Sequence, residues 1–267
     1  MISPIRIAAD LIWPPVCMAC GEIIPLNYKQ NLALCQNCLS KFDIEKKSLC
    51  PKCQKAHVKC SCKPKNLSGN VSGCIHVTRY TSWSSVSNSL VISAKDNNYK
   101  YLYGLISDEL CSAVKSRVSD YKNAVITYMP REKSKIRETG IDQAKLAAAE
   151  TAKKLKIELV SALTRVHAKQ QKELSADDRL KNAFSAYRMK KNAVPRIAGK
   201  TVILYDDILT TGATMSAGAD LLYRMGAAKV YVLAFAMRYN DKLDSRKSVV
   251  ADIGIDTDGY DFGDELE

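Results

Sequence analysis

The sequence predicts an α/β protein in which a small cysteine-rich domain precedes an open, mostly parallel sheet. From about residue 75 onward, short apolar segments of strand length alternate with longer helical patterns, which is typical of a parallel sheet. Eight of the ten cysteines lie before residue 70. Residues 201–214 combine a strand, two acids, a loop of small residues and a helix start. Open α/β sheets bind ligands just outside the carboxyl end of such a strand.

The length and charge of the chain limit the classes of protein to which it can belong. Its 267 residues suffice for one ordinary domain and a small one. The formal net charge of +12 and the pI near 9.2 favour an anionic partner such as phosphate or nucleic acid. No apolar segment approaches the length of a membrane span, and the N terminus has no signal-peptide pattern. We therefore expect a cytoplasmic protein without membrane insertion.

The N-terminal cysteines form four pairs, three spaced C-x2-C and the last C-S-C: Cys17, Cys20, Cys35, Cys38, Cys50, Cys53, Cys60 and Cys62. Two such pairs can bind one tetrahedral Zn²⁺, and the first two pairs have zinc-ribbon spacing. Disulfides would require secretion, for which the sequence has no signal. We predict a double zinc-ribbon domain at 1–70 with two structural Zn²⁺ ions, a single ion being the alternative. His57 could replace a sulfur, but a surface histidine is the favoured interpretation, and Cys74 and Cys111 are interpreted as core or edge thiols.

After a polar linker at 63–73, the hydrophobic pattern predicts the elements of a second domain at 71–240. Strands are expected at 75–80, 124–128, 159–163, 202–205 and 230–237. Helices are expected at 86–93, 101–114, 143–154 and 216–225. The polar, basic segment 165–200 is long for a connector, so we predict a mobile hood or lid. Residues 241–267 form a tail that turns acidic and is expected to be disordered.

The segment 201–214 has the features of a site for a phosphorylated sugar. Its apolar run stops at Asp206 and Asp207, whose carboxylates can accept hydrogen bonds from vicinal hydroxyls or bind Mg²⁺ that bridges to phosphate. A hydroxyl-rich loop at a helix N terminus follows, where unpaired backbone N–H groups suit a phosphate. The loop consists of Thr210, Thr211, Gly212, Ala213 and Thr214. A buried strand followed by a solvated turn is the alternative interpretation.

A basic segment, M-P-R-E-K-S-K-I-R at 129–137, follows the strand predicted at 124–128. A strand that runs into a proline-marked basic loop suits the binding of a pyrophosphate group. Arg131 and Lys133 are the candidate ligands. The alternative is an exposed basic loop without a ligand.

Residues 201–214 resemble the motif with which type I phosphoribosyltransferases bind phosphoribosyl pyrophosphate (PRPP). The resemblance implies a sheet of the type I phosphoribosyltransferase kind and Mg²⁺ bound together with PRPP. It also implies that Asp206 and Asp207 bind the ribose hydroxyls, while the loop at 210–214 binds the 5-phosphate.

Together with the cysteine pairs, this motif makes the chain similar to the ComF/GntX family over most of residues 11–238. The similarity includes I-W-P-P-V-C-M-A-C-G at 12–21, Lys95, the segment 140–143, Q-x-x-L…R-x-x-N within 171–182, and G-A-A at 226–228. The family usually has R-G-F-N-Q where this chain has T-G-I-D-Q. Thr139 and Asp142 therefore replace an arginine and an asparagine.

The family resemblance implies a role in handling single-stranded DNA during natural competence, with competence-machinery proteins as candidate partners. Up to residue 70 the chain has ten Lys or Arg against four Asp or Glu, which suits nucleic acid but also a solvated face. Three functions follow as hypotheses: a phosphoribosyltransferase of unspecified acceptor, a non-catalytic PRPP sensor that binds single-stranded DNA, and a zinc-dependent assembly adaptor. Pyrophosphate release distinguishes the first, and PRPP binding separates the first two from the third.

Overall fold

A five-stranded parallel sheet lies at the centre of the protein. The structure is a computed structural model that describes residues 12, 14–25, 32–81, 85–166 and 186–239. Its strands are β1 (Gly73–Tyr80), β2 (Val125–Tyr128), β3 (Glu158–Leu159), β4 (Leu163–Arg165), β5 (Tyr187–Met189), β6 (Thr201–Leu209) and β7 (Lys229–Arg238). The sheet order is β1-β7-β6-β2-β3, and every neighbouring pair is parallel. The predicted open parallel sheet is confirmed.

Helices cover both faces of this sheet. They are α1 (Gln36–Lys47), α2 (Val86–Asp96), α3 (Lys100–Arg117), α4 (Lys133–Thr139), α5 (Gln143–Leu155), α6 (Val194–Ile197) and α7 (Ala213–Arg224). Successive residues of a strand face opposite sides, so Ile203 and Tyr205 pack with α2, α3 and α5, whereas Val202 and Leu204 pack with α7. None of the helices within the described ranges has the length and hydrophobicity that a membrane span requires.

Three predictions about element boundaries are wrong. The strand expected at 159–163 is two strands, because the chain turns where the Ala162 N–H donates to the Val160 carbonyl at 3.0 Å. The basic loop at 129–137 is largely helical, since α4 occupies its second half and ends at the left-handed Gly140. The strand expected at 202–205 is longer, because β6 continues through both acids to Leu209 in register with β7.

The cysteine-rich segment shares its hydrophobic core with the sheet. Phe42 of α1 is fully buried and stacks on Phe235 of β7, with ring centroids 6.0 Å apart. Ile24 and Leu34 are fully buried in the same cluster. The segment therefore buries its few apolar residues against the sheet. The division into units at 1–70, 71–240 and 241–267 stays a prediction.

Some predicted features fall outside the described residues. These are the acidic tail, the Q-x-x-L…R-x-x-N segment and most of the hood. The described ends of the hood, β4 and β5, pair antiparallel with Leu163 opposite Met189. Cys74 and Cys111 are buried, as predicted for core thiols.

Candidate functional site

Asp206 and Asp207 lie near the carboxyl end of β6, and both are half-buried. Asp206 Oδ1 accepts the Asp207 N–H at 2.9 Å, and Asp207 Oδ1 accepts the Ile208 N–H at 2.7 Å. The other oxygen of Asp207, Oδ2, accepts from the Gln143 side-chain amide at 3.2 Å. These bonds fix the orientation of both carboxylates before any ligand arrives.

Without a ligand, the surroundings of this site disfavour the ionised form of two of its carboxyl groups, Asp206 and Asp142. Burial, followed by the neighbouring charge of Asp207, raises the pKa of Asp206 well above its ordinary value. Burial also raises the pKa of Asp142, which caps α5 by accepting the Lys145 N–H at 3.1 Å. A ligand that donates hydroxyl hydrogens or brings a cation would offset this penalty.

The predicted phosphate loop joins β6 to α7. Thr210 and Thr211 are exposed, and Gly212 adopts φ 87°, in the left-handed region. This conformation lets α7 begin at Ala213, three residues before the predicted start at Ser216. The N–H groups of the first turn of α7 therefore lie at the loop, as an anion site requires. The structure brings all five predicted loop residues to the carboxyl edge beside the two acids.

The predicted polar linker packs against the back of this loop. The Asn66 N–H donates to the Thr211 carbonyl at 2.9 Å, and the Ser68 N–H donates to Ser216 Oγ at 3.2 Å. Leu67, between them, is buried. Sequence reasoning missed these contacts, because a polar segment with proline and glycine has no signal that names its partner.

Arg131 and Lys133 differ in their surroundings. Arg131 Nη1 donates to the carbonyls of Lys95 and Ile141 at 2.9 and 3.1 Å and to Thr139 Oγ1 at 3.2 Å. Lys133 is exposed at the first turn of α4. Arg131 thus ties the end of α2 to the end of α4, a structural role that the sequence did not indicate. Pyrophosphate binding by either residue stays a prediction.

The eight cysteines predicted as ligands form two clusters, Cys17–Cys20–Cys35–Cys38 and Cys50–Cys53–Cys60–Cys62. Within each cluster the sulfur atoms all lie within 4.8 Å of one another. Three sulfur pairs, Cys20–Cys35, Cys50–Cys62 and Cys53–Cys60, are 3.8, 4.0 and 3.5 Å apart. Zn–S bonds of about 2.3 Å in a tetrahedron require sulfurs about 3.8 Å apart. Both clusters therefore fit a structural Zn²⁺ ion.

His57 is not a surface residue, which corrects the favoured interpretation. It is fully buried, and its Nδ1 lies 3.3 Å from Nε2 of the buried His76. The Tyr239 hydroxyl lies 3.0 Å from His76 Nε2 and 3.8 Å from Cys60 Sγ. Burial lowers the pKa of His57 to about 4 and that of His76 to about 3. Neutral imidazoles and a tyrosine thus connect the second cluster to the end of β7.

Two domain families match the chain, and curated relatives match parts of it. Residues 8–69 match the double zinc ribbon domain, and residues 143–262 match the phosphoribosyl transferase domain. Competence protein F of Haemophilus influenzae is 37% identical over 102 residues, covering 36% of this chain and 43% of that protein. The ribose-phosphate pyrophosphokinase of Thermococcus kodakarensis is 50% identical over 38 residues, 14% of each chain. The chain thus spans less than half the length of these relatives.

A solved structure also aligns with the chain. The adenine phosphoribosyltransferase of Thermoanaerobacter pseudethanolicus is 17% identical and covers 59% of this chain and 88% of its own, with a TM-score of 0.35. The fold assignment rests instead on the strand order and on the domain matches.

The sheet, the motif at its carboxyl edge and the matching domain define a phosphoribosyltransferase-like protein. The two cysteine clusters fit the double zinc ribbon that precedes it. This pair of domains and the similarity to Competence protein F support a ComF-like family for the chain.

Proposed function

We propose that the chain binds Mg²⁺-PRPP at the carboxyl end of β6 and transfers its phosphoribosyl group to an acceptor. The observation that carries this proposal is the juxtaposition of two oriented carboxylates with a phosphate loop that begins only three residues further along the chain. Asp206 and Asp207 offer acceptors to the ribose hydroxyls, while the first turn of α7 offers N–H donors to the 5-phosphate. The spacing suits one ligand that spans both.

In the proposed reaction, the bond between C1 of PRPP and the pyrophosphate oxygen breaks as an acceptor nucleophile bonds to C1. Asp206 and Asp207 hold the ribose so that C1 stays oriented, and their charge stabilises a ribose ring that becomes positive. In this proposal Lys133, exposed at the first turn of α4, attracts the leaving pyrophosphate. Mg²⁺, when bound with PRPP, supplies further positive charge for the pyrophosphate.

The test is the double variant Asp206→Asn/Asp207→Asn, which keeps the shape of both side chains and removes their charge. Calorimetry should show a loss of Mg²⁺-PRPP affinity of about 1.5–3 kcal/mol for each charged hydrogen bond removed. Pyrophosphate release, screened over bases, amines and single-stranded DNA, should fall in parallel. Asp220→Asn, a matched change within α7, should bind like the parent. Parental affinity in the double variant would refute the proposal.

A role in natural competence is the second part of the proposal, and it is suggested by the name of the relative from Haemophilus influenzae. The specific observation is a basic surface on the second ribbon. Residues 50–65 have five lysines, all exposed, and no acidic residue: Lys52, Lys55, Lys59, Lys63 and Lys65. This surface suits the backbone of single-stranded DNA. A PRPP sensor would use the same two surfaces without turnover, and an assembly adaptor would use neither.

The basic surface is tested in the full chain by Lys52→Gln/Lys55→Gln/Lys59→Gln. Each lost phosphate contact should reduce the slope of log K against log salt for single-stranded DNA by about 0.7. The matched control replaces three exposed lysines at the amino end of the sheet: Lys122, Lys153 and Lys200. Equal effects of the two triple variants would show that charge alone, and no defined surface, binds the DNA.

A further inference from the structure

Residues 66–68, here called the positioning segment, contact the phosphate loop and the first turn of α7 through three consecutive residues. The Asn66 N–H donates to the Thr211 carbonyl, Leu67 packs on Gly212, and the Ser68 N–H donates to Ser216 Oγ in the first turn of α7. A Cβ atom added to Gly212 would lie 2.9 Å from both Cβ and N of Leu67. Glycine is thus required at this position by its left-handed backbone and also by the closeness of the positioning segment.

The positioning segment is held firmly at both ends. Asn66 follows Cys62, a ligand of the second cluster, after only three intervening residues. Lys63 Nζ donates to the carbonyls of Val71 and Gly69 at 2.7 and 3.2 Å, which closes the segment into a compact turn. The Tyr223 hydroxyl of α7 donates to the Asn70 carbonyl at 2.7 Å. A change in the conformation of the second cluster can therefore reach the phosphate loop through three intervening residues and the hydrogen bond from Asn66 to Thr211.

We propose that the positioning segment couples the second zinc site to PRPP binding, an inference that rests on the proposed function. Zn²⁺ at Cys50, Cys53, Cys60 and Cys62 fixes the start of the segment, and the segment fixes Thr211 and Gly212 in the conformation that receives the 5-phosphate. Coupling between two sites is reciprocal. Bound Mg²⁺-PRPP must therefore increase zinc retention at the second cluster and leave the first cluster unaffected.

The first test shortens the buried side chain of Leu67, whose packing holds the positioning segment against Gly212. Leu67→Ala should weaken Mg²⁺-PRPP binding in calorimetry by about fivefold or more, the lower end of couplings between separate sites. Leu67→Met, which conserves volume, should restore the affinity, and Asn70→Ala, an exposed side chain in the same turn, should not change it. Ser216→Ala removes the acceptor of the Ser68 N–H and provides a second variant should Leu67→Ala fold poorly. Parental affinity in both variants would overturn the proposal.

The second test measures the loop without PRPP, by hydrogen exchange of the amides at 210–215. Cys62→Ala, which removes a ligand of the second cluster, should speed exchange there, and Leu67→Ala should do the same. Cys20→Ala, the matched change in the first cluster, should leave this exchange unchanged while also lowering the zinc content by one ion. Unchanged exchange in Cys62→Ala would refute the coupling.

These readouts distinguish failure of the inference from failure of the proposed function. A parent chain that does not bind Mg²⁺-PRPP refutes the proposed function, and hydrogen exchange still decides whether the segment positions the loop. If the parent binds Mg²⁺-PRPP, chelator competition measures zinc loss from each cluster with and without the ligand. Zinc loss from the second cluster that does not change when Mg²⁺-PRPP is bound refutes the coupling and leaves the proposed function intact.

Discussion

At the residue scale, the charge of Asp206 is disfavoured in the protein without its ligand. Burial is the main cause, and Asp207 adds to it. Binding residues often reduce the stability of the fold that holds them, because a carboxylate prepared for a ligand lacks full solvation. Asp206 should therefore favour the ligand-bound protein and disfavour the free one.

This argument predicts that Asp206→Asn raises the thermal stability of the free protein at pH 7. The folded pKa of Asp206 lies above its ordinary value of 3.8, so its charge penalises folding at pH values above that raised pKa. The penalty declines as the pH falls from the raised pKa toward 3.8 and is absent below it. Calorimetric melting at pH 7 and near pH 4 should show a gain that shrinks on acidification. A lower melting temperature at pH 7 would contradict the prediction.

Thr139 and Arg131 are joined by a hydrogen bond at the predicted pyrophosphate loop. The Thr139 hydroxyl oxygen accepts from Arg131 at 3.2 Å, and Arg131 also donates to two carbonyls through the same nitrogen. The Arg131 guanidinium is therefore anchored by the protein next to the predicted pyrophosphate position.

At the element scale, the N terminus of helix α2 is capped by the carboxylate of Glu45, a residue of the cysteine-rich segment. The N–H groups of Val86 and Ser87 each donate to an oxygen of Glu45 at 2.8 Å, and the Ser87 hydroxyl donates to Glu45 as well. Glu45 lies on α1, forty-one residues before Val86. The first turn of one helix is thus stabilised by a side chain from another, through bonds that combine capping with a favourable charge at the helix N terminus.

We predict that Glu45→Ala lowers the free energy of unfolding by about 1.5–3 kcal/mol, the range for hydrogen bonds to a charged group. Urea denaturation measures this loss. Glu138→Ala is the control, because Glu138 forms an exposed i,i+3 ion pair with Lys135, a type of pair that contributes little to stability. Equal losses in both variants would mean that Glu45 has no special role.

At the scale of the whole molecule, the ribbons and the sheet form one packed body. Arg117 of α3 donates to the Val58 and Cys60 carbonyls at 3.1 and 3.0 Å, and Phe42 stacks on Phe235. Deletion of residues 1–70 would expose the face of the sheet that these residues cover. Point variants in the full chain are therefore the appropriate test of DNA binding.

Removal of zinc should destabilise the complete fold. Metal binding stabilises the fold of a zinc ribbon, and because the ribbons share a hydrophobic core with the sheet, the sheet loses packing when zinc is removed. Chelator-treated protein should melt in one transition at a lower temperature, followed by circular dichroism, and readdition of Zn²⁺ should restore the parental value. Two separate transitions, with the later one at the parental temperature, would show that the sheet is stable without the ribbons.

The sequence by itself determined the parallel sheet, the two cysteine clusters and the strand–acid–loop–helix motif. Each of these follows from a pattern within a short stretch: a short apolar run predicts a buried strand, C-x2-C predicts half of a zinc site, and five consecutive residues predict the loop. Tertiary structure alone decided which distant residues meet. Gln143 reaches Asp207, Tyr239 reaches Cys60, and Leu67 reaches Gly212. These contacts join residues far apart in the chain, which meet only because the sheet order and the ribbon packing bring them together.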